Sequence, residues 1–334
     1  MKVAIVGGGV GGLACAEPLA ASGVPLTLFD KGRKLGGRCS TRRIERGEAE
    51  PLRFDHGAQY FTARDDEFVA RVEAWARAGQ AARWQPRLWA LEGEGGARVV
   101  DDDVERWVCV PTMSTIATLL YDELVALGAE LELQVDTRVT RLERVGERWL
   151  LVDARGGSHG LFDRVVLDMP PAQAAPLLAE HAPALEQRAL ACRMDPCWAL
   201  MLEPREPFDP GFDAAFVSGS PLAWLANEAS KPGRAATPRW VAHAEGAWSQ
   251  ANLERDADEV GEVLLAELAR LVGREIVAAS QSIHRWRYAK PEPLPEAYLL
   301  DLDTGLAACG DWLGGPRVEG AFRSGRSLGN MLLA

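Results

Sequence analysis

Apolar positions open the chain as a short continuous run, Val3 to Val6. They continue through small residues from Val10 to Ala21 and close up again over Leu26 to Asp30. An apolar run bounded by glycines predicts a buried strand, and the segment after it a helix, so the beginning of the chain predicts a compact βαβ unit. Pro18 falls inside that helix, where its missing N–H predicts a kink or a weakened turn. Asp65 to Ala78 sets Phe68, Val72 and Trp75 on one helical face, the pattern of an amphipathic surface helix. Pro111-Thr112-Met113-Ser114 predicts the opening of another helix, running to about Leu127. Short strands follow around Leu131, over Thr137 to Leu142, Trp149 to Ala154 and Arg164 to Leu167. From Pro170 to about Pro295 the chain is rich in Pro, Trp and Ala and holds one long helical stretch, Asp256 to Val272. Leu306 to Ala334 returns to strand, Gly-rich loop and helix.

These patterns predict an α/β protein with a discontinuous Rossmann-like domain over residues 1–75, 107–172 and 296–334. Residues 76–106 and 173–295 are expected to form a second, α+β domain of mixed or antiparallel sheet and helices. A chain of 334 residues, 47% hydrophobic and 25% charged, is long enough for two cores. Its net charge of -11 argues against nucleic acid or an anionic membrane as the main partner, since both are bound through clustered Lys and Arg. The six cysteines lack the paired short spacings of a zinc site or redox dithiol, so no metal is expected and the thiols read as buried groups of a reducing compartment. Val3 to Val6 is too short for a signal-peptide core or membrane span, and the expected location is the cytoplasm.

The first βα turn carries the chemistry. Gly7, Gly9 and Gly12 form G-x-G-x-x-G between strand and helix: Gly7 for the tight turn, Gly9 for backbone approach to a pyrophosphate, Gly12 for close packing. The helix N-terminus, with Val10 and Gly11, presents free N–H groups and a positive dipole end to phosphates. Asp30, ending the second strand, is placed to accept hydrogen bonds from an adenosine ribose. The fingerprint alone leaves FAD and NAD open.

Lys31 to Arg38 (KGRKLGGR) follows at once, and its Gly36-Gly37-Arg38 resembles the extension of amine-oxidase-type flavoproteins. There the glycines admit the ligand and the guanidinium reaches phosphate or carboxylate. Phe54 to Asp65 (FDHGAQYFTARD) resembles that family's stretch along the flavin, and Cys309-Gly310-Asp311-Trp312 with Arg317-Val318-Glu319-Gly320-Ala321 its closing flavin motif. With Trp286 to Pro291 and Ser230-Lys231-Pro232-Gly233-Arg234, these motifs are similar to bacterial renalase-like proteins over nearly the whole chain. The resemblance implies a glutathione-reductase-type FAD-binding domain, non-covalent FAD, and reoxidation by oxygen with release of hydrogen peroxide. Its small-molecule hydride donors would be dihydropyridine isomers of reduced nicotinamide nucleotides. It also implies cofactor contacts from Lys31, Gly37, Arg38, Ala58, Gln59, Tyr60, Phe61, Gly310, Asp311, Arg317, Val318, Glu319 and Ala321, with Val139 at the adenine. The chain departs from the family at Asp168-Met169-Pro170-Pro171, where a small apolar residue is usual and a carboxylate stands close to the cofactor. Cys109 to Met113 lacks the usual Gly-Lys-Pro-Gly-Met, and Asn227-Glu228-Ala229 lacks the expected basic residues.

Candidate active-site residues are Tyr60, His243, Trp286, Arg287 and Tyr288. Tyr60 suits either a wall over the flavin or a buried aromatic, and His243 either a substrate contact or a core histidine; His56, next to the expected flavin-passing turn, suits a structural histidine bonding the local backbone. Trp286 and Tyr288 alternate with Arg287 along a strand, so the two rings share one face and Arg287 takes the other. A hydride donor held about 3 to 3.5 Å from the flavin's reactive nitrogen needs positioning and exclusion of water, with no side-chain base required for a dihydropyridine. An amine oxidase or desaturase on the same scaffold, a flavin-binding module without catalysis, and a nicotinamide-dependent dehydrogenase are the rival readings.

Overall fold

A computed structural model describes residues 1–47 and 49–334, and these divide into two compact units. Met1–Cys39, Ile116–Arg193 and Pro291–Ala334 form the first; Ser40–Thr115 and Met194–Lys290 form the second.

The first unit is built on a six-stranded sheet in the order Leu299–Asp301, Leu306–Ala308, Arg164–Leu167, Val3–Val6, Leu26–Phe29, Leu131–Gln134. All neighbours are parallel except the outer Leu299–Asp301 pair. Val3–Val6 and Leu26–Phe29 are buried at every residue, as parallel strands covered on both faces must be, and only Thr27 interrupts their apolar runs. The helix Val10–Ala21 runs through Pro18 without ending. The proline removes one backbone bond, and burial of most of the helix outweighs that loss. The closing helix Val318–Met331 crosses it with almost no separation, since a Cβ on Gly325 would lie 1.9 Å from Gly11 O and one on Gly329 2.4 Å from Cys15 O. A three-stranded antiparallel sheet of Val139–Val145, Arg148–Asp153 and Ser158–Phe162 completes the unit. It packs Trp149 and Phe162 into the core with Leu178 and Trp312.

The second unit centres on a seven-stranded sheet, ordered Ala278–Pro291, Met194–Pro204, Trp240–Ala244, Leu222–Asn227, Ala214–Ser218, Leu88–Glu92, Ala97–Val99. Ala214–Ser218 pairs parallel with Leu88–Glu92, whereas the run from Met194–Pro204 through Trp240–Ala244 and Leu222–Asn227 to Ala214–Ser218, and the pair Leu88–Glu92 with Ala97–Val99, are antiparallel. The helix Ala257–Val272 lays Val260, Leu264 and Leu268 on the sheet, capped at its start by the Asp256 carboxylate and at its end by Gly273 in the left-handed region, φ 69°. Asp65 likewise caps Asp66–Arg77.

The α/β class and the two kinds of sheet agree with the sequence reading, but the segments divide differently. Residues 40–75 and 107–115, expected in the dinucleotide domain, belong to the second unit. Leu52 and Phe54 of the hairpin Arg42–Arg46/Ala49–Phe54 pack on Met201 and Val241 of the large sheet, and Trp107–Cys109 pairs with Ala81–Arg83. Residues 173–193 belong to the first unit because helices Pro171–Leu178 and Pro183–Ala191 fill its core. The helix expected from Pro111 starts at Thr115. The residues before it are drawn off by other partners: Met113 N donates to Asp55 Oδ1 at 3.0 Å and Ser114 N to Thr41 Oγ1 at 3.2 Å. The strand expected over Thr137 to Leu142 begins at Val139, after a turn with Asp136 at φ 53°, and continues to Val145.

Candidate active site

Two constellations stand out, one in each unit. In the first, Gly7 turns at φ 121° and Gly9, with no side chain of its own to cap with, stands at the start of the helix. A Cβ on Gly12 would lie 2.1 Å from Gly7 O, the close strand-to-helix packing its position predicts. Asp30 is held by two amides, Gly8 N at 2.8 Å and Gly32 N at 2.6 Å, and burial raises its pKa in spite of both. The chain around Val139 meets this strand end: Thr137 N donates to Asp30 O at 2.9 Å, and Val139 itself is buried. Lys31 is exposed and reaches Gln173 Oε1 at 3.1 Å.

Gly36 and Gly37 both have positive φ, and Gly36 N donates to Gly8 O at 2.9 Å, which brings Arg38 over the fingerprint turn. Arg38 then forms a bidentate pair with Asp311, both bonds 2.7 Å. Burial opposes its charge, yet the Asp311 carboxylate holds the pKa above its ordinary value. Gly310, at φ 135°, donates its N–H to Ser324 Oγ at 3.0 Å. Arg317 stands exposed at the cap of Val318–Met331, with Glu319 buried in the first turn and Ala321 O beside Gly11. A helix start with glycine at its N-cap, glycines where backbones touch, and an amide-anchored carboxylate at the next strand end together fit a dinucleotide. Asp168 is the unexpected member: half-buried, its carboxyl lies against Gly9, Gly11 and Gly12 and accepts from the Gly12 amide. Burial pushes it up to about 7, with Asp311 and Asp30 adding to the rise.

In the second unit the segment 55–61 lies against one face of the large sheet. Trp224 and His243 are cross-strand partners and share that face. Tyr60 sits with its ring centroid 5.7 Å from Trp224 and 6.0 Å from Trp84, under the Arg106 guanidinium at 5.4 Å. His56 is 4% exposed; its ring is 4.8 Å from His284 and 5.0 Å from Trp286, and its carbonyl accepts from His243 Nε2 and Trp286 Nε1, both at 3.0 Å. Burial holds all three imidazoles neutral, lowering His56 to about 3 and His243 and His284 to about 4. Among the described residues, His56 Nδ1, Thr62 Oγ1 and Trp224 Nε1 are buried without a hydrogen-bond partner.

Behind this wall lies a buried charge cluster. Lys231 Nζ contacts Glu228 Oε1, Gln59 Oε1 at 3.1 Å and Asp55 Oδ2 at 3.7 Å, while Arg234 holds Asp55 at 2.6 Å. Burial alone would raise Asp55, but Lys231 and Arg234 hold it below the usual carboxylate range. Gln59 also donates to Asp55 O, so the loop of Ala58, Gln59, Tyr60 and Phe61 is fixed from behind. Phe61 is fixed to Trp107 by reciprocal backbone bonds.

The structure brings Tyr60, His243 and Trp286 into one aromatic and imidazole face. It turns Arg287 to the opposite side, exposed and paired with Glu254, its Nη2 2.8 Å from Glu254 Oε2. Tyr288 is half-buried. The sequence reading passed over His284, Trp84, Trp224 and the roles of Asp55, Glu228 and Lys231; the signal available for the last was the SKPGR motif alone. Among the described residues no cysteine is in a disulfide, and no group of His, Cys, Asp or Glu is placed to hold a metal. No helix there is long and apolar enough to cross a membrane.

A dinucleotide fold followed by a large sheet with an aromatic face defines a nucleotide-dependent oxidoreductase architecture. Residues 5–73 match the NAD(P)-binding Rossmann-like domain, and residues 80–328 match the flavin containing amine oxidoreductase family. The chain belongs to the latter family and is an FAD-dependent oxidoreductase. It is 41% identical over 63 residues to a carotenoid 3,4-desaturase of Haloarcula japonica, covering 19% of this chain and 12% of that protein. It is 25% identical over 287 residues to a bifunctional protein of tRNA 5-methylaminomethyl-2-thiouridine biosynthesis from Burkholderia mallei, covering 75% of this chain and 42% of the other. The chain thus spans less than half the length of these curated relatives. Among solved structures, a candidate protoporphyrinogen oxidase from Exiguobacterium sp. 255-15 superposes with TM-score 0.77 at 13% identity, over 99% of this chain and 98% of that one. Putrescine oxidase bound to putrescine does so with TM-score 0.71 at 13% identity over the same shares, which shows a common fold.

Proposed function

We propose that the protein is an oxidase that takes a hydride from a small, flat, uncharged ring, a dihydronicotinamide isomer foremost, and passes the electrons to oxygen as hydrogen peroxide. The observation that carries this reading is the neutral imidazole wall of His56, His243 and His284 beside Trp286. Imidazoles lowered to about 3 and 4 are poor bases for an ammonium group, whereas a dihydropyridine gives up its hydride with no proton to remove. Bound FAD supplies the hydride acceptor. The chain's own part is to present flat rings for stacking, offer His56 Nδ1 and Trp224 Nε1 as polar contacts, and keep water from the donor. Lys231, Arg234 and Arg106 all have carboxylate partners, which favours the nicotinamide ring over the nucleotide phosphates at this face. The aromatic trio Tyr60, Trp84 and Trp224 favours a second reading, amine oxidation, in which these rings flank an amine.

The test is anaerobic mixing of the purified holoprotein with dihydronicotinamide isomers and simple amines, following the oxidised-flavin absorbance. Rapid bleaching by one dihydropyridine isomer, reversed by air with peroxide formed, is the expected result. Taken per bound flavin, the bleaching rate should also stay flat between about pH 5.5 and 8, because none of the three imidazoles titrates there. Bleaching by amines alone would move the assignment to amine oxidation, and no bleaching by any donor would sink the oxidase reading.

A further inference from the structure

Asp168 ends the central strand Arg164–Leu167, its N–H donating to Val6 O at 2.8 Å, and its side chain reaches into the fingerprint turn. Its Oδ2 would lie 2.8 Å from a Cβ on Gly9 and its Oδ1 2.5 Å from a Cβ on Gly11, so side chains at either position would strike the carboxyl. Those glycines and the Gly12 amide are the groups a dinucleotide's pyrophosphate approaches in this fold. The carboxyl therefore stands in the region where a doubly negative linkage must come. Three carboxyls, Asp30, Asp168 and Asp311, gather around the turn, and the nearby guanidinium, Arg38, is engaged by Asp311. The Cys309 thiol also lies nearby, its pKa raised by the hydrogen bond with Cys15 and by burial, with Asp168 adding to the rise.

We propose that Asp168 is a cofactor-binding residue that meets the FAD pyrophosphate as the neutral acid, one oxygen keeping the Gly12 amide and the other donating its proton toward phosphate. Binding FAD then takes up a proton, and raising the pH releases the cofactor. Geometry sets the conflict of charge; the pKa of about 7 puts its resolution in an accessible range. The helix start favours negative charge, but it serves one anion better than two in contact. The inference does not depend on which donor the protein oxidises.

The experiment reads cofactor release. Holoprotein is diluted into buffers from about pH 5.5 to 8.5, and the free FAD is followed by its fluorescence. Linkage to one proton predicts a Kd that is level below about pH 6 and rises up to roughly tenfold per pH unit above 7. Asp168→Asn keeps the shape and an N–H donor without the charge, so its Kd should match wild type in acid, be lower than wild type at the alkaline end, and lose the slope. Asp168→Ala, should the first variant fold poorly, must lose the slope as well. A wild-type Kd independent of pH, or a variant that keeps the wild-type slope, overturns the proposal.

Discussion

Lys231 is 2% exposed, yet it carries an ammonium group among Glu228, Asp55 and Gln59. A charge out of water is tolerated only when paired, and removing one partner strands the other. Lys231→Met is therefore expected to lower the stability of the second unit by about 3 kcal/mol in urea unfolding, and the added change Glu228→Gln should restore most of the loss. A lone loss with no rescue would mean that the lysine acts by packing over Trp84 and not by charge. Residues of this kind were poorly legible in the sequence. Gly7, Gly9, Gly12 and Asp30 could be read because backbone approach to a dinucleotide fixes their spacing along one short stretch. His56, His243 and His284 come from a loop and two separate strands, and no local spacing announces that they meet. Arg287 was legible in direction, since strand alternation placed it opposite Trp286, but its exposure and its bond to Glu254 were not.

Among the elements, the helices Val10–Ala21 and Val318–Met331 approach each other closely beside the cofactor turn. Gly325 has no room for even one methyl group against Gly11 O. Gly325→Ala should cost about 1 to 3 kcal/mol through overpacking and weaken FAD retention by shifting the fingerprint turn. Gly23→Ala, at a position with open space but φ 72°, should cost stability without touching retention. Comparing urea midpoints with flavin released on dialysis separates the two, and equal retention in both variants would contradict the coupling. Elements whose pattern came from continuous burial or a strong apolar face were read to within a residue or two, as with Val3–Val6, Val10–Ala21 and Ala257–Val272. The helix after Pro111 starts later than its pattern predicts because Met113 and Ser114 bond to Asp55 and Thr41, partners far away in sequence. Long-range hydrogen bonds leave no periodicity to read.

For the molecule as a whole, acidity should act on the two units with opposite sign. His56, His243 and His284 stay neutral when folded until about 3 to 4, but charge near 6.5 when unfolded. The unfolded chain then binds more protons, so their contribution is fully present above about pH 6.5 and lost as pH falls toward the folded values, with a slope of up to about 4 kcal/mol per pH unit for three protons. Solvent access to the half-buried His243 and His284 reduces that figure. Asp168 is raised to about 7 when folded, so its contribution is fully present below about pH 4 and lost as pH rises through 7. Nine of the eleven tryptophans lie in the second unit, so tryptophan fluorescence reports mainly on it. Between about pH 6 and 4 that signal should change before far-ultraviolet dichroism of the parallel sheet is lost; simultaneous loss of both would refute the opposed signs.

The order of strands carries a further consequence, for synthesis. Val3–Val6 lies between Leu26–Phe29 and Arg164–Leu167, and Arg164–Leu167 lies beside Leu306–Ala308. The partner of Arg38, Asp311, comes later still. On the ribosome the dinucleotide fingerprint emerges long before the strands and the helix that hold it in shape. A nascent chain stalled before Asp311 should be colourless, and the yellow of bound flavin should mark chains whose translation has passed that point.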